Sequence, residues 1–145
     1  MKQTSLVLTI VALLLSNIGG CSDSGSDISL PPVVGTAWRL EKIHIVGGET
    51  IVIPKHEIYT LYFVSESTTS GRIYCNTYQA KYRLENGRMI SFADVSWTEM
   101  ACPVPSSERE FSNALQNATS MTVVGNKFSL YYSGATRVLV FTRAN

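Results

Sequence analysis

Residues 78–92 read YQAKYRLENGRMISF, two β-prone runs at 78–84 and 88–92 joined across Asn86-Gly87. Asn-Gly accepts the positive φ that both central positions of a tight I′ turn require, and between such runs it is a strong hairpin signal. The turn length fixes the strand register, so this segment is an antiparallel pair whatever surrounds it.

The flanking sequence continues in the same style. Residues 36–46 and 49–53 are β-branched and aromatic, with Gly47-Gly48 between them as a second hairpin turn, and Pro54 ends the pairing. Residues 57–65 alternate, with Tyr59, Leu61 and Phe63 against Ile58, Thr60, Tyr62 and Val64. The polar run SESTTSG at 65–71 reads as a bend into a short strand at 72–75. Further strands are expected at 121–124, 127–132 and 137–142, with turns at Gly125-Asn126 and Ser133-Gly134. One helix interrupts the pattern. Ser107-Glu108-Arg109-Glu110 has the spacing of a capping box, and Phe111, Ala114, Leu115 and Ala118 fall on one helical face. Pro103 and Pro105 separate this helix from the strand before it. The expected fold is mainly β, an α+β domain built as a small antiparallel barrel, closed or cracked, of about eight strands with one helix across an opening.

The N-terminus has a different character. Lys2 precedes an apolar run at 6–15, and small residues then lead into Cys21. This is the make-up of a secretory signal peptide, and the run is half the roughly 20 apolar residues that a membrane span needs. Asn17-Ile18-Gly19-Gly20-Cys21 resembles a bacterial lipobox, which implies lipidation of Cys21, with residues 1–20 as the signal peptide. Ser22 in place of an acidic residue implies the outer membrane, facing the periplasm. Residues 21–34 are rich in Ser, Asp, Gly and Pro and read as a flexible tether to a domain at 35–145.

The chain has 12 Lys and Arg against 11 Asp and Glu, and loss of Lys2 with the leader leaves 11 of each. A neutral domain lacks the basic footprint of a nucleic-acid binder, and membrane contact is left to the N-terminal lipid. With Cys21 assigned to lipid, Cys75 and Cys102 remain as an even pair. In an oxidising compartment they are expected to form a disulfide, which contributes about 3–4 kcal/mol in a chain-entropy model. A redox-active pair is the alternative, without the C-x-x-C spacing that lowers a thiol pKa.

Catalytic equipment is not visible. His44 and His56 are the candidate near-neutral bases, each without a spaced partner, and read as strand and loop residues. Clustered metal ligands, phosphate loops and nucleophile motifs are missing from the pattern, so neither an enzyme nor a bound metal or cofactor is expected. Glu108 and Glu110 suit a helix N-terminus, where negative charge is favoured.

Cys75-Asn76 followed by Tyr78 and Tyr82, then Met100-Ala101-Cys102-Pro103, Glu110-Phe111 and the closing hydrophobic strands, together resemble the META/HslJ domain family over most of residues 35–143. The resemblance implies a small β-rich domain of the kind often carried by bacterial lipoproteins, linked to envelope stress. Asn76, Met100, Ala101 and Pro103 are then motif residues. The family usually has Gly where this chain has Tyr74, a small-Gly pair where it has Gln79-Ala80, and Thr-Arg where it has Thr98-Glu99. Tyr74, Tyr78, Tyr82 and Trp97 lie near the motif and form a candidate contact surface, since Tyr and Trp dominate binding hot spots. The expected partner is an unidentified envelope protein or a hydrophobic ligand. A lipid carrier or secretin-pilot-like barrel is an alternative. Another is a lysozyme inhibitor, because Ser133-Gly134-Ala135 resembles the S-G-A-R loop of lipoproteins of that kind.

Overall fold

A computed structural model describes residues 33–105 and 107–144. Cys21, the leader and most of the expected tether lie outside these residues. Strands β1 (Ala37–Ile45), β2 (Thr50–Val52), β3 (Thr60–Phe63), β4 (Thr68–Ile73), β5 (Asn76–Glu85) and β6 (Met89–Trp97) precede helix α1 (Glu108–Asn117). Strands β7 (Ala118–Val124), β8 (Lys127–Tyr132) and β9 (Arg137–Arg143) follow it. Each strand from β3 to β9 pairs with the next, and β9 returns to β1, which also pairs with β3. The result is a closed antiparallel barrel of eight strands with one helix, and β2 pairs with the far end of β1.

The turn chemistry explains much of this order. Asn86 and Gly87 carry φ of 49° and 62°, as a I′ hairpin requires, and β5 and β6 pair on either side of them. Gly71 has a different reason to be glycine. A Cβ there would overlap the Thr60 carbonyl and come within 2.8 Å of the Tyr78 ring, so β3, β4 and β5 approach closely only because the side chain is missing. The polar run at 65–71 is therefore not all bend, since its second half belongs to β4. Its hydroxyls face partners: Thr69 Oγ1 donates to the Tyr62 carbonyl at 2.8 Å. Val33 is buried and Val34 bridges Phe63, so both residues, expected from the sequence to belong to the tether, pack with the domain.

A bulge breaks the alternation of β1. Leu40 pairs with Phe141 and Lys42 with Val140, leaving Glu41 as the extra residue. Trp38, Leu40 and Ile43 all stay buried while Glu41 and Lys42 both face outward. Such a bulge bends the strand, and here β1 exchanges β3 for β2 as its neighbour across it.

The interior is packed with rings. Phe111 of α1 lies 5.4 Å from Tyr59, 5.7 Å from Tyr78 and 6.2 Å from Phe141, ring centre to ring centre. The chain of contacts continues through Phe128 to Trp38 and Phe63, and from Phe63 edge-on to Tyr82 at 4.9 Å. Pairs of this kind add about 0.5–1.5 kcal/mol each beyond the area they bury.

The seam between β6 and β7 is the narrow place in the ring. One residue pair, Met89 with Ser120, joins them in register, supplemented by the Met121 amide donating to the Arg88 carbonyl at 2.8 Å. Helix α1 connects these two strands and lays Phe111, Ala114 and Leu115 inward. Ala118 was expected on the same helical face, but it has φ −60° and ψ 138° and opens β7. The capping box does not form either, because Ser107 makes no side-chain cap bond. Glu110 turns instead to the barrel, accepting from the Tyr132 hydroxyl at 2.8 Å and pairing with Arg137 at 2.9 Å. The Glu110 carboxylate thus takes a hydroxyl and a guanidinium together, two donors that also tie the helix to β8 and β9.

Candidate functional site

Strands β4 and β5 are joined by the two residues Tyr74 and Cys75, with Ile73 paired to Asn76. Tyr74 has φ 59°, and its amide donates to the Ile58 carbonyl at 2.8 Å. A positive φ at the first position of a two-residue hairpin turn is where glycine is the usual choice, which gives a physical reason for the family's preference at this position. The turn directs Cys75 toward the segment after β6, and Cys75 and Cys102 are joined in a disulfide with Cα atoms 6.1 Å apart.

Asn76, next in sequence and buried, completes the attachment. Its Oδ1 accepts from the Met100 amide at 2.8 Å and the Thr98 hydroxyl at 2.9 Å, while Nδ2 lies 3.4 Å from the Met100 carbonyl and from Cys102 Sγ. Thr98 Oγ1 in turn accepts from the Thr77 amide at 3.1 Å, and the Thr98 amide donates to the Thr77 carbonyl at 3.0 Å. Both ends of the Asn76 amide are thus used, as a buried amide requires. The motif residues Cys75, Asn76 and Cys102 form one clamp that holds residues 98–102 against the start of β5. Thr98 is an essential member of it that the motif reading left in the background. A lone threonine carries no spacing signal.

The clamped loop presents apolar side chains to solvent. Trp97 is 41% exposed, Met100 59% and Val104 98%, and Ala101 and Pro103 are also exposed. Trp97 stands between two clefts. One, of about 370 Å³, lies between Ile73, Pro105 and Glu108, Arg109 and Ser112 of α1. The other, of about 250 Å³, runs along Thr77, Gln79, Ser96 and Thr98.

The four aromatics expected to share a contact surface therefore separate. Trp97 is exposed, and Tyr74 is half-buried against the core. Tyr78 and Tyr82 are core residues, with hydroxyls donating to the carbonyls of Thr60 at 2.9 Å and Ser65 at 2.7 Å. Burial pushes both phenols above the ordinary tyrosine pKa, with Glu66 adding to the effect at Tyr82. They point inward because even positions of β5 face the barrel, a parity that motif proximity does not reveal.

Other polar groups hold the helix in place. The Tyr59 hydroxyl donates to buried Glu57 at 2.7 Å, and its pKa is raised by burial first and then by that carboxylate. Burial and Glu110 likewise raise that of Tyr132. His44 Nδ1 lies 3.0 Å from Thr50 Oγ1 on the surface, and exposed His56 is 4.0 Å from Glu57. Among the described residues no three His, Cys, Asp or Glu side chains converge as metal ligands.

A small closed barrel with its helix plug and a disulfide-clamped loop between β6 and α1 is the class to which this geometry belongs. The META domain family model matches residues 31–145, and the chain belongs to that family. Two solved structures share the fold. A protein from Burkholderia xenovorans, determined by NMR, is 24% identical with a TM-score of 0.64, over 78% of this chain and 84% of the other. A DUF4847 family protein from Bacteroides vulgatus is 16% identical with a TM-score of 0.58, over 77% of this chain and 94% of the other. No curated protein matches the chain.

Proposed function

We propose that this META domain is a non-catalytic, lipid-anchored binding module of the cell envelope, tethered through Cys21 and engaging another envelope protein, in support of envelope integrity under stress. The observation that carries this reading is the exposure of Trp97 at the end of β6 and of Met100 and Val104 on the loop that follows, which the Cys75–Cys102 disulfide and Asn76 hold in place. Trp and Met are enriched in protein interfaces, and a rigid loop loses little conformational freedom on binding. The lipobox-like leader supports the tether, and outer-membrane placement facing the periplasm follows from Ser22. The ring stack from Phe111 to Tyr82 occupies the barrel interior and weighs against a carrier that would hold an acyl chain there.

A photo-crosslinking amino acid placed at Met100 in intact cells tests this, with the same group at Val124 on the β7–β8 tip as reference. The reading expects a discrete adduct from position 100, absent from position 124 and reduced when Cys21→Ala releases the anchor. Equal adducts from both positions, or turnover abolished by one point substitution, would overturn it.

A further inference from the structure

The bulge at Glu41 has a second consequence. Where β1 parts from β3 and takes up β2, a groove of about 890 Å³ opens between β1, the residues after β2 and the end of β9. Arg39, Lys42, Lys55 and Arg143 all line it. None of these has a carboxylate within 4.0 Å among the described residues, whereas Lys81, Arg83, Lys127 and Arg137 are in ion pairs. The acidic side chain of the lining, Glu41, is already answered by Lys127 from β8. A chain with a formal net charge of only +1 thus gathers four cations against one carboxylate in this cleft.

Two of the cations are oriented. Arg39 donates through Nη2 to the Lys55 carbonyl at 3.1 Å, and the Arg143 guanidinium lies 5.6 Å from the centre of the buried Trp38 ring. The remaining lining is apolar: Ile53 is buried in the floor, Pro54 sits beside it, and Val52 is 73% exposed at the lip. A single guanidinium fork already satisfies the two oxygens of a carboxylate. Two forks with two ammonium groups match a group with more acceptor oxygens and more charge, such as a phosphate ester. The volume is that of a site for a small organic molecule rather than a bare ion.

We propose that this groove binds an anionic amphiphile, its phosphate held among Arg39, Lys42, Lys55 and Arg143 and its apolar portion laid on Val52 and Pro54. The inference is independent of the partner reading, which concerns the loop between β6 and α1. The test is an amide NMR titration of the purified protein with short-chain phosphatidic acid, kept monomeric. Glycerol 3-phosphate and short-chain phosphatidylcholine are the comparison arms. Saturable shifts are expected at residues 39–42, 52–55 and 142–144, with about tenfold weaker binding in both comparison arms. Arg39→Gln with Arg143→Gln weakens binding by about tenfold or more. Because Arg143 also covers Trp38, the surface pair Lys42→Gln with Lys55→Gln must do the same, and Arg72→Gln on β4 leaves binding unchanged. Absence of saturable shifts, or full binding by the lysine variant, overturns the site. Equal affinity for glycerol 3-phosphate overturns the amphiphile in favour of a free phosphate compound.

Discussion

Tyr74 shows how one backbone angle can explain a motif position. It stands at φ 59° in a two-residue turn, and a side chain with a Cβ is strained there by about 1–2 kcal/mol. Tyr74→Gly and Tyr74→Ala both remove the ring, so comparing them isolates the backbone. After the entropy that glycine returns to the unfolded chain, the Gly variant is expected to be more stable by about 0.5–1 kcal/mol. Urea denaturation of the two variants checks this, and an Ala variant equal to or better than Gly would refute the strain. At this scale the sequence was informative about Asn76 and the cysteines, because motif residues that touch lie close to one another or form a natural pair. It was misleading about Tyr78 and Tyr82. Their side-chain direction is set by the parity of β5, which depends on the register of the sheet and not on their distance from the motif.

Helix α1 connects β6 to β7, the strands linked by one residue pair, and lays its apolar face on the barrel interior. Phe111 is its main contact with the ring stack. Phe111→Ala is expected to cost about 3–5 kcal/mol, and Phe111→Leu about 1.5 kcal/mol or less. Amides of α1 and of β6 should exchange faster in the Ala variant by hydrogen exchange. A cost below about 1 kcal/mol would mean that the helix is not the plug. The helix itself was legible from the spacing of Phe111, Ala114 and Leu115, because that period is a local property. Its N-terminal bonding was not. The capping box competes with Tyr132 and Arg137, which are 22 and 27 residues away and enter only when β8 and β9 close the barrel.

At the scale of the molecule, the same closure brings Glu41 of β1 against Lys127 of β8 and Thr142 of β9. The hydrogen bond from Lys127, then that from Thr142, lowers the Glu41 carboxyl below its usual range. A depressed folded-state pKa adds stability above the unfolded value, and this is lost as pH falls through the folded one. Wild type is therefore expected to exceed Glu41→Gln by about 0.2–1 kcal/mol near pH 7 and low salt, the range of exposed pairs. The gap should close as pH falls below the usual carboxylate range, as followed by denaturation at each pH. A gap that persists in acid would assign the effect to packing. The groove between Arg39 and Arg143 arises from this level of organisation as well. Its cations come from three segments, 39–42, 55 and 143, which carry no common spacing. The sequence by itself determined the β-rich class, the Asn86-Gly87 hairpin and the helix, because turn geometry and periodicity act over short distances, and it offered the pairing of Cys75 with Cys102 as an expectation resting on the assignment of Cys21 to lipid. Only the tertiary structure decided which aromatics face solvent, what Glu110 binds and where positive charge collects. Those outcomes depend on register and on contacts between strands far apart in the chain, whose energies exist only once the barrel has closed.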